Sequence, residues 1–441
     1  MSEFNEKDEI NEPDEIIEPD EIITEADVWD GSARQGETAG TEIKEKKKKR
    51  HSFSGGMIFG IIIGIIVCLV VTAFADTLGI SVVSTDSSSG YEEKIELIKE
   101  YIEKYYIGEV DEEALEAGLL SGLLSGLDDD YAAYYTAEEM EELLESNSGE
   151  YAGIGVSITM SDDGYCTVYK VFEGTPAEEA GIQVNDIILE AGGVTDFESL
   201  DDVVAVVRGE EGTTVDITIL RGDEEIELTV ERRTIEVETI TYEMLDNNIG
   251  YIYIAEFDTV TEDQFSDAVD DLLDAGAEGI IFDLRDNPGG QLDVVVAMAD
   301  KVLPEGTIVT VEDASGNVDE YTSDDENQIT VPMVCIINGN SASASEVFVG
   351  ALQDYGVATV VGETSFGKGI VQTLWSLSDG SGIKFTTAVY YTPNGTSLHG
   401  VGITPDIEVS LPDDAYDDGV LDEDEDTQLQ AAIEVLEEEL D

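Results

Sequence analysis

The sequence predicts a multidomain α/β protein whose folded domains follow an N-terminal membrane helix. Three observations predict this fold class. An apolar run spans residues 57–75, short β-branched strands alternate with glycine-rich turns over residues 150–235, and strand-like and helix-like segments alternate over residues 236–410. Hydrophobic residues make up 42% of the 441 residues, which is enough to form buried cores.

The chain is strongly acidic, because 101 Asp and Glu residues outnumber 20 Lys and Arg residues and give a formal net charge of −81. Phosphate groups bind Lys and Arg, so we expect no nucleic-acid partner. An acidic surface also keeps a protein soluble in a salty or cation-rich habitat. Acidic runs such as residues 422–426 lack the spacing of an EF-hand loop, and we expect neither a metal nor a cofactor.

A membrane segment is predicted near the N-terminus. Residues 1–56 are predicted to form a disordered acidic tail, which contains a basic cluster at Lys44–Arg50. The apolar run 57–75 is long enough to span a bilayer. The positive-inside rule keeps the basic cluster in the cytoplasm, so everything after Ala75 faces outward. Residues 76–90, rich in serine, are predicted to be a short linker.

The alternative to an anchor is a cleaved signal peptide, since Ala73-Phe74-Ala75 has the small-x-small pattern of a cleavage site. The apolar run and the tail before it are longer than in most signal peptides, which favours an uncleaved anchor. Both interpretations place the rest of the chain outside the cytoplasm.

Residues 91–149 are predicted to form a helical arm. Apolar residues recur there at helical spacing, among them Ile95, Ile98, Ile102, Leu119 and Leu123. The arm is interpreted either as a helical cap without chemistry or as a surface through which the protein forms homo-oligomers.

Residues 150–235 are predicted to form a β-rich domain, with strands at Val156–Thr159, Cys166–Val171, Val215–Leu220 and Ile226–Val230. Its order of motifs resembles a PDZ domain, on the evidence of Tyr151–Val156, Gly174–Ile182 and Asn185–Ile188. In this resemblance Gly153, Ile154 and Gly155 belong to the carboxylate-binding loop. Glycines let successive backbone N–H groups converge on a terminal carboxylate, and the strand after them offers an edge to an extended peptide. The family has Gly-Asp where this chain has Asn185-Asp186.

Residues 236–410 are predicted to form an α/β core. The strands are predicted at Ile249–Ile254, Gly279–Leu284, Met333–Asn338 and Ala358–Val361, and the helices at Gln264–Ala275, Leu292–Leu303 and Glu346–Tyr355. Several short β segments follow as far as Ile407. Residues 411–441 are predicted to be an acidic C-terminal segment that ends in a helix.

Two loops between a predicted strand and a predicted helix carry residue types suited to catalysis. Arg285–Gly290 contains a glycine pair that can expose backbone N–H groups, as an oxyanion hole needs, although a simple turn has the same composition. Ser341–Glu346 places three serines at a helix N-terminus, where the local field favours developing negative charge. Taken alone, ordinary N-capping by serine is the simpler interpretation of this second loop.

Lys368 and Gln372 are the other candidate catalytic residues. If Lys368–Leu374 is a strand, then Lys368, Ile370 and Gln372 share one face of it. An amine beside buried apolar residues loses its proton more readily, which is what a lysine general base requires. Gln372 can hold the amine by a hydrogen bond.

Residues 91–410 resemble the carboxyl-terminal processing, or tail-specific, peptidases. The resemblance rests on Ser341–Glu346, on Gly367–Gly369, on the Lys-x-x-x-Gln pattern and on Gly400–Asp406. It implies a crotonase-like core, a PDZ domain and a serine endopeptidase that needs no cofactor. It also implies protein or peptide substrates with accessible C-termini.

The resemblance further implies the catalytic roles. The family's nucleophile and lysine are 25 residues apart, and Ser343 lies 25 residues before Lys368, which selects Ser343 over Ser341 and Ser345. Lys368 is then the base and Gln372 the residue that orients it.

Three further residues receive roles from the same resemblance. The oxyanion hole is expected from backbone N–H groups near Gly289 and of Ala344. Arg208 is expected to help hold the PDZ domain in its active placement, with an ordinary surface charge as the alternative.

Three other functions compete with this interpretation. Gly362–Lys368 fits a P-loop, but Gly369 stands where a Ser or Thr should bind Mg²⁺, and the following residues have strand character. A Ser–His hydrolase would need His399, which lies in a glycine-rich turn. A non-catalytic PDZ protein that only binds peptides would have no need of Ser343 and Lys368.

Overall fold

The structure is a computed structural model that describes residues 90–440 apart from 162–163, 325, 327, 413–414, 416–420 and 422–424. The predicted tail and membrane helix, and the predicted linker up to residue 89, lie outside the described residues. Among the helices that are described, none combines the length and the apolar character needed to cross a bilayer. The described residues from 102 onward belong to one compact unit.

The predicted helical arm contains three helices: α1, Tyr91–Tyr105; α2, Glu112–Ser125; and α3, Ala137–Ser148. Thr136 and Glu139 start α3 with a reciprocal pair of side-chain-to-backbone hydrogen bonds, and Gly149 ends it with a φ of 70°. A short strand that the sequence analysis missed, β1 (Ala133–Tyr135), lies between α2 and α3. Several apolar side chains of α2 stay exposed, including Leu119 and Leu123.

The β-rich domain follows, with β2 (Glu150–Gly153), β3 (Val156–Met160), β4 (Cys166–Val171), α4 (Pro176–Ala180), β5 (Ile187–Ala191), α5 (Leu200–Val207), β6 (Thr214–Arg221), β7 (Glu224–Glu231) and β8 (Arg233–Glu236). Five of the strands form one sheet in the order β3-β4-β5-β6-β7, and β2 pairs with β8. The core of this domain includes the fully buried side chains of Val168, Ile217 and Ile219. Strand β3 is therefore an edge strand, with one side unpaired within its sheet.

The turn at Asn185-Asp186, where the chain departs from the family's Gly-Asp, has a clear physical explanation. Asn185 has a φ of 73°, and asparagine tolerates this left-handed conformation better than most residues. The buried carboxylate of Asp186 accepts hydrogen bonds from the guanidinium of Arg221 and from the backbone N–H of Gln183. Asparagine therefore preserves the turn that glycine makes in the family.

The α/β core is built on a six-stranded sheet in the order β18-β15-β14-β11-β10-β9. Its strands are β9 (Ile240–Met244), β10 (Ile249–Ile254), β11 (Gly279–Asp283), β14 (Met333–Ile337), β15 (Ala358–Gly362) and β18 (Ile407–Glu408). All neighbours are parallel except β9 and β10. One face packs on helices α6 (Thr261–Asp274), α7 (Leu292–Val302) and α8 (Ala344–Tyr355). The predicted strands and helices of this sheet are therefore present, with shifts at their ends.

A second sheet of five strands lies beside the first. It contains β1, β12 (Gly306–Asp313), β13 (Val318–Ser323), β16 (Ile370–Ser376) and β17 (Gly382–Tyr391). Strand β17 pairs with three of the others, β1, β12 and β16. Only short β segments are predicted from the sequence in this region, whereas β17 is ten residues long.

The acidic C-terminal segment contributes a helix to the core. Helix α9, Thr427–Leu440, covers the second face of the six-stranded sheet with Ala432 and Leu436, which are fully buried. Just before the helix, Asp426 forms a buried ion pair with Arg285 at 2.8 Å. The core therefore extends beyond the predicted end at residue 410 and takes in this helix.

Candidate active site

Two loops at the carboxyl ends of neighbouring parallel strands, β11 and β14, carry the candidate residues Gly289, Ser343 and Ala344. The second loop ends at Ser343, directly before α8. Ser343 has a φ of 57° and a ψ of −114°, a conformation that costs on the order of 1–3 kcal/mol for a residue with a side chain. Backbone strain of this kind is concentrated at functional sites.

The three serines of this loop have different environments. Ser341 is fully buried and its hydroxyl donates to the carbonyl of Leu284 at 2.7 Å. Ser345 is also fully buried and donates to the carbonyl of Asn287 at 3.0 Å. Ser343 instead borders an open cavity. The packing thus leaves Ser343 as the serine whose hydroxyl can meet a substrate.

The cavity has a volume of about 460 Å³. It is lined by three of the predicted catalytic residues and by apolar and charged neighbours, among them Ser343, Lys368, Gln372, Ala344, Gly290, Leu143, Val347, Leu374, Glu256 and Lys384. The fold therefore brings together residues that are up to about 240 positions apart in the sequence.

Lys368 lies in a loop rather than in the predicted strand, since β16 begins at Ile370. Its amine lies 4.5 Å from the ring centroid of Tyr131. Burial lowers the pKa of Lys368 below its ordinary value, the positive charge of Lys384 lowers it further, and Glu346 acts in the opposite direction. The direction of the shift is the one that a general base needs.

Gln372 lies in β16, opposite Thr386, at a register shift that leaves Thr387 of β17 without a partner residue in β16. The predicted strand begins two residues later than expected, so Lys368 precedes it, but Lys368, Ile370 and Gln372 all line the cavity. Gln372 still lines the cavity, and its amide donates to the hydroxyl of Thr386 at 3.3 Å. No hydrogen bond is present between the described side chains of Ser343 and Lys368; such bonds commonly tighten only when substrate is bound.

Gly289 lies directly against the serine loop. A Cβ atom at Gly289 would come within 2.7 Å of the Ser343 Cβ, so only glycine fits there. The N–H of Gly289 donates to the side-chain oxygen of Asn287 at 2.8 Å and is therefore already engaged. Ala344 and Gly290 line the cavity. The loop of Gly289 thus packs against the serine loop, and Pro288 and Gly290 of this loop lie on the cavity wall.

Glu346 is a residue of the site that the sequence analysis did not single out. It is buried, and one carboxylate oxygen accepts from the N–H groups of Ser343 at 3.0 Å and Lys368 at 2.8 Å. The other oxygen accepts from the Ser365 hydroxyl at 2.6 Å and the Gly367 N–H at 2.8 Å. The Ser-x-x-Glu spacing of a capping box was the signal that could have identified it. Glu346 thus joins the serine turn to the lysine loop.

The predicted peptide-binding residues form a second, smaller cavity of about 100 Å³. Gly153, Ile154 and Gly155 line it together with the edge strand β3 and with side chains of α5. Gly155 has a φ of 83°, and a Cβ there would come within 2.3 Å of Thr175. The groove therefore has an apolar wall, a glycine loop at one end and an unpaired strand edge along one side.

Arg208 lies at the rim of this groove, immediately after α5. Its guanidinium is 4.6 Å from the ring centroid of Tyr151 and forms an ion pair with Glu145 of α3 at 2.7 Å. The side chain remains partly exposed to solvent. Arg208 therefore connects the groove to the helical arm.

The structure also shows the surroundings of the two alternative catalytic or nucleotide-binding motifs, the P-loop-like segment and His399. The segment Gly362–Lys368 is followed by the strand β16 and not by the helix of a P-loop. His399 is exposed and is not among the residues that line the catalytic cavity. Neither arrangement has the geometry that its chemistry requires.

The comparisons with known proteins identify the family. Residues 248–409 match peptidase family S41, and residues 152–231 match the PDZ domain. The chain is 34% identical over 346 residues to the carboxy-terminal processing protease CtpA of Bacillus subtilis, covering 78% of this chain and 74% of that protein. It is 37% identical over 323 residues to a probable CtpA-like serine protease of Staphylococcus epidermidis, covering 72% of this chain and 65% of that protein.

A solved structure, the photosystem II D1 C-terminal processing protease, is 29% identical, with 72% of this chain and 88% of that chain covered and a TM-score of 0.43. The identity and coverage of the Bacillus subtilis relative, together with the two domain matches, establish the assignment. The chain belongs to peptidase family S41, the family of the carboxy-terminal processing proteases, and is a serine-type endopeptidase.

Proposed function

We propose that this endopeptidase cuts extracytoplasmic proteins in or near their C-terminal tails, with Ser343 as nucleophile and Lys368 as general base. The observation that carries the proposal is the strained Ser343 at a helix N-terminus, on the same cavity as a partly buried lysine whose pKa is lowered. The two neighbouring serines, Ser341 and Ser345, are instead engaged in buried hydrogen bonds to backbone carbonyls.

The proposed reaction follows from these positions. Neutral Lys368 takes the proton of Ser343 as the serine oxygen attacks the scissile carbonyl. The resulting oxyanion is stabilised by the Ala344 N–H and by an N–H of the loop of Gly289, either that of Gly290 or that of Gly289 once Asn287 releases it. Lys368 then protonates the leaving amine, and water hydrolyses the acyl-enzyme in a second attack. Gln372 orients the amine from β16.

Substrate capture is proposed to depend on the glycine loop of the PDZ domain. A free C-terminus would bind its carboxylate to the backbone N–H groups around Gly153, Ile154 and Gly155 and pair with β3 as an added strand. The rest of the tail then reaches the catalytic cavity. The names of the relatives, which are carboxy-terminal processing proteases, support this assignment.

A matched pair of peptides tests both parts of the proposal. A peptide with a free C-terminus should bind the full chain more tightly than the same peptide with an amidated end, because only the first has a terminal carboxylate. Mass spectrometry of the digested peptides should locate the cuts near the C-terminus. Equal affinities, or cuts spread evenly along both peptides, would contradict carboxylate capture.

Arg208 is proposed to hold the PDZ domain in its active placement through Glu145. Arg208→Ala should slow cleavage of substrates with folded tails, while the melting temperature changes little because exposed ion pairs contribute about 0–1 kcal/mol. Lys170→Ala is the matched control, since Lys170 forms an exposed ion pair with Glu238 and lies over an aromatic ring in the same domain. Equal rates for wild type and Arg208→Ala would remove Arg208 from the mechanism.

We also propose that residues 57–75 anchor the chain in the cell membrane with the N-terminus in the cytoplasm. Protease added to intact, wall-stripped cells should digest the chain after residue 77 and spare a tag at residue 1. Loss of the N-terminal tag instead would show that the orientation is the opposite one.

The exposed apolar side chains of the arm, Leu119 and Leu123 among them, support a homo-oligomer, which the mass of the purified full chain in solution would reveal.

A further inference from the structure

The short segment between α2 and α3 lies close to the active site. Its residue Asp129 contacts Thr386, which follows it by 257 positions in the sequence and is hydrogen-bonded to Gln372. The carboxylate of Asp129 accepts hydrogen bonds from the Thr386 N–H at 2.8 Å and from the Thr386 hydroxyl at 3.1 Å. The same hydroxyl accepts from the amide of Gln372 at 3.3 Å. A hydrogen-bonded chain therefore runs from Asp129 to a residue of the catalytic cavity.

The same segment places an aromatic ring on the catalytic lysine. The ring centroid of Tyr131 lies 4.5 Å from the Lys368 amine. Contacts of the residues before and after Tyr131 determine the position of this ring. The Tyr131 N–H donates to Asp129 at 3.0 Å, and the strand that follows pairs with β17 so that Ala133 lies opposite Lys384.

We propose that Asp129 and Tyr131 are positioning residues of the dyad, Asp129 by holding Gln372 through Thr386 and Tyr131 by covering the Lys368 amine against water. The inference rests on the proposed roles of Lys368 and Gln372. It makes the segment in front of the PDZ domain part of the catalytic machinery, rather than only a cap or an oligomerisation surface.

The ring of Tyr131 has two opposing effects on the lysine. Its face attracts the charged ammonium, whereas its bulk removes water and so disfavours the charged form. Lys384 and Glu346 also act on this amine, and Glu256 and Asp293 line the same cavity. Burial is the largest influence on the pKa of Lys368, and it lowers that pKa. Removing the ring should therefore raise the pKa toward the ordinary value.

The test for Tyr131 is the pH dependence of β-casein hydrolysis by the full chain. In Tyr131→Ala the acid limb of kcat/KM should move up by about one pH unit, with about a tenfold loss of rate on that limb. Tyr131→Phe keeps the ring and should restore the limb to its original position. An unshifted limb in Tyr131→Ala, or a shift to lower pH, would overturn the role of Tyr131.

The test for Asp129 is a double-mutant cycle with Gln372. Asp129→Ala should lower kcat roughly tenfold with little change in KM, whereas Asp130→Ala, at the exposed neighbouring carboxylate, should not. In a Gln372→Ala background Asp129→Ala should have little further effect, because its influence passes through Gln372. Fully additive losses would overturn this route. Activity that survives Ser343→Ala would instead overturn the proposed function itself, so the two failures are distinguishable.

Discussion

Replacement of Ser343 by Ala, or of Lys368 by Ala, is expected to lower kcat by roughly a thousandfold or more while the fold survives. The double variant should lose little more than either single variant, because nucleophile and base act as one unit. Lys368→Arg should be nearly as inactive as Lys368→Ala, since a guanidinium stays charged and cannot accept a proton. The measurements are steady-state kinetics on a peptide with a free C-terminus and circular dichroism of each variant.

The assignment of Lys368 as base also predicts how the cleavage rate changes with pH. A lysine acts as a base only in its neutral form, so the rate should rise with pH through the pKa of Lys368. Burial and Lys384 place that pKa below the ordinary lysine value, so the rise should come at a lower pH than free lysine would give.

His399→Ala serves as the matched control, because His399 is exposed and does not line the cavity. It should retain most of the activity. If Lys368→Arg keeps substantial activity and His399→Ala loses it, the Ser–Lys assignment is wrong and a histidine mechanism must replace it.

Glu346→Gln is expected to lower both the activity and the stability of the protein, although it replaces only one carboxylate oxygen by an NH₂ group. Each carboxylate oxygen of Glu346 accepts two hydrogen bonds, one pair coming from Ser343 and Lys368 and the other from Ser365 and Gly367. The NH₂ group of a glutamine would face N–H or O–H donors in either orientation. Each buried donor that loses its acceptor costs about 1–3 kcal/mol.

The loss in kcat for Glu346→Gln should reach about a hundredfold, because the backbone turns that carry the nucleophile and the base are no longer joined. The melting temperature should fall as well. Glu278→Gln is the matched control, since Glu278 is exposed on the surface of the same core. Wild-type kcat and melting temperature in Glu346→Gln would show that the carboxylate does not hold the two loops together.

The sequence by itself determined the order of the domains and most of their elements. Short, nearly continuous apolar runs predicted the strands of the parallel sheet, because a strand buried on both faces must be apolar along its length. The carboxylate-binding loop was predicted from its resemblance to that of PDZ domains, in which glycines let backbone N–H groups approach a carboxylate. Together with the family resemblance, such local patterns identified Ser343 and Lys368 as candidates.

Only the tertiary structure decided which of these local patterns act together. It buried Ser341 and Ser345 and left Ser343 on the cavity, which depends on packing against the loop of Gly289 and not on local sequence. It placed Lys368 in a loop before β16, because the carboxylate of Glu346 holds the lysine's backbone from another element. It also brought Asp129 and Tyr131 to the site through pairing of β1 with β17, a contact between residues so distant in sequence that no local periodicity encodes it.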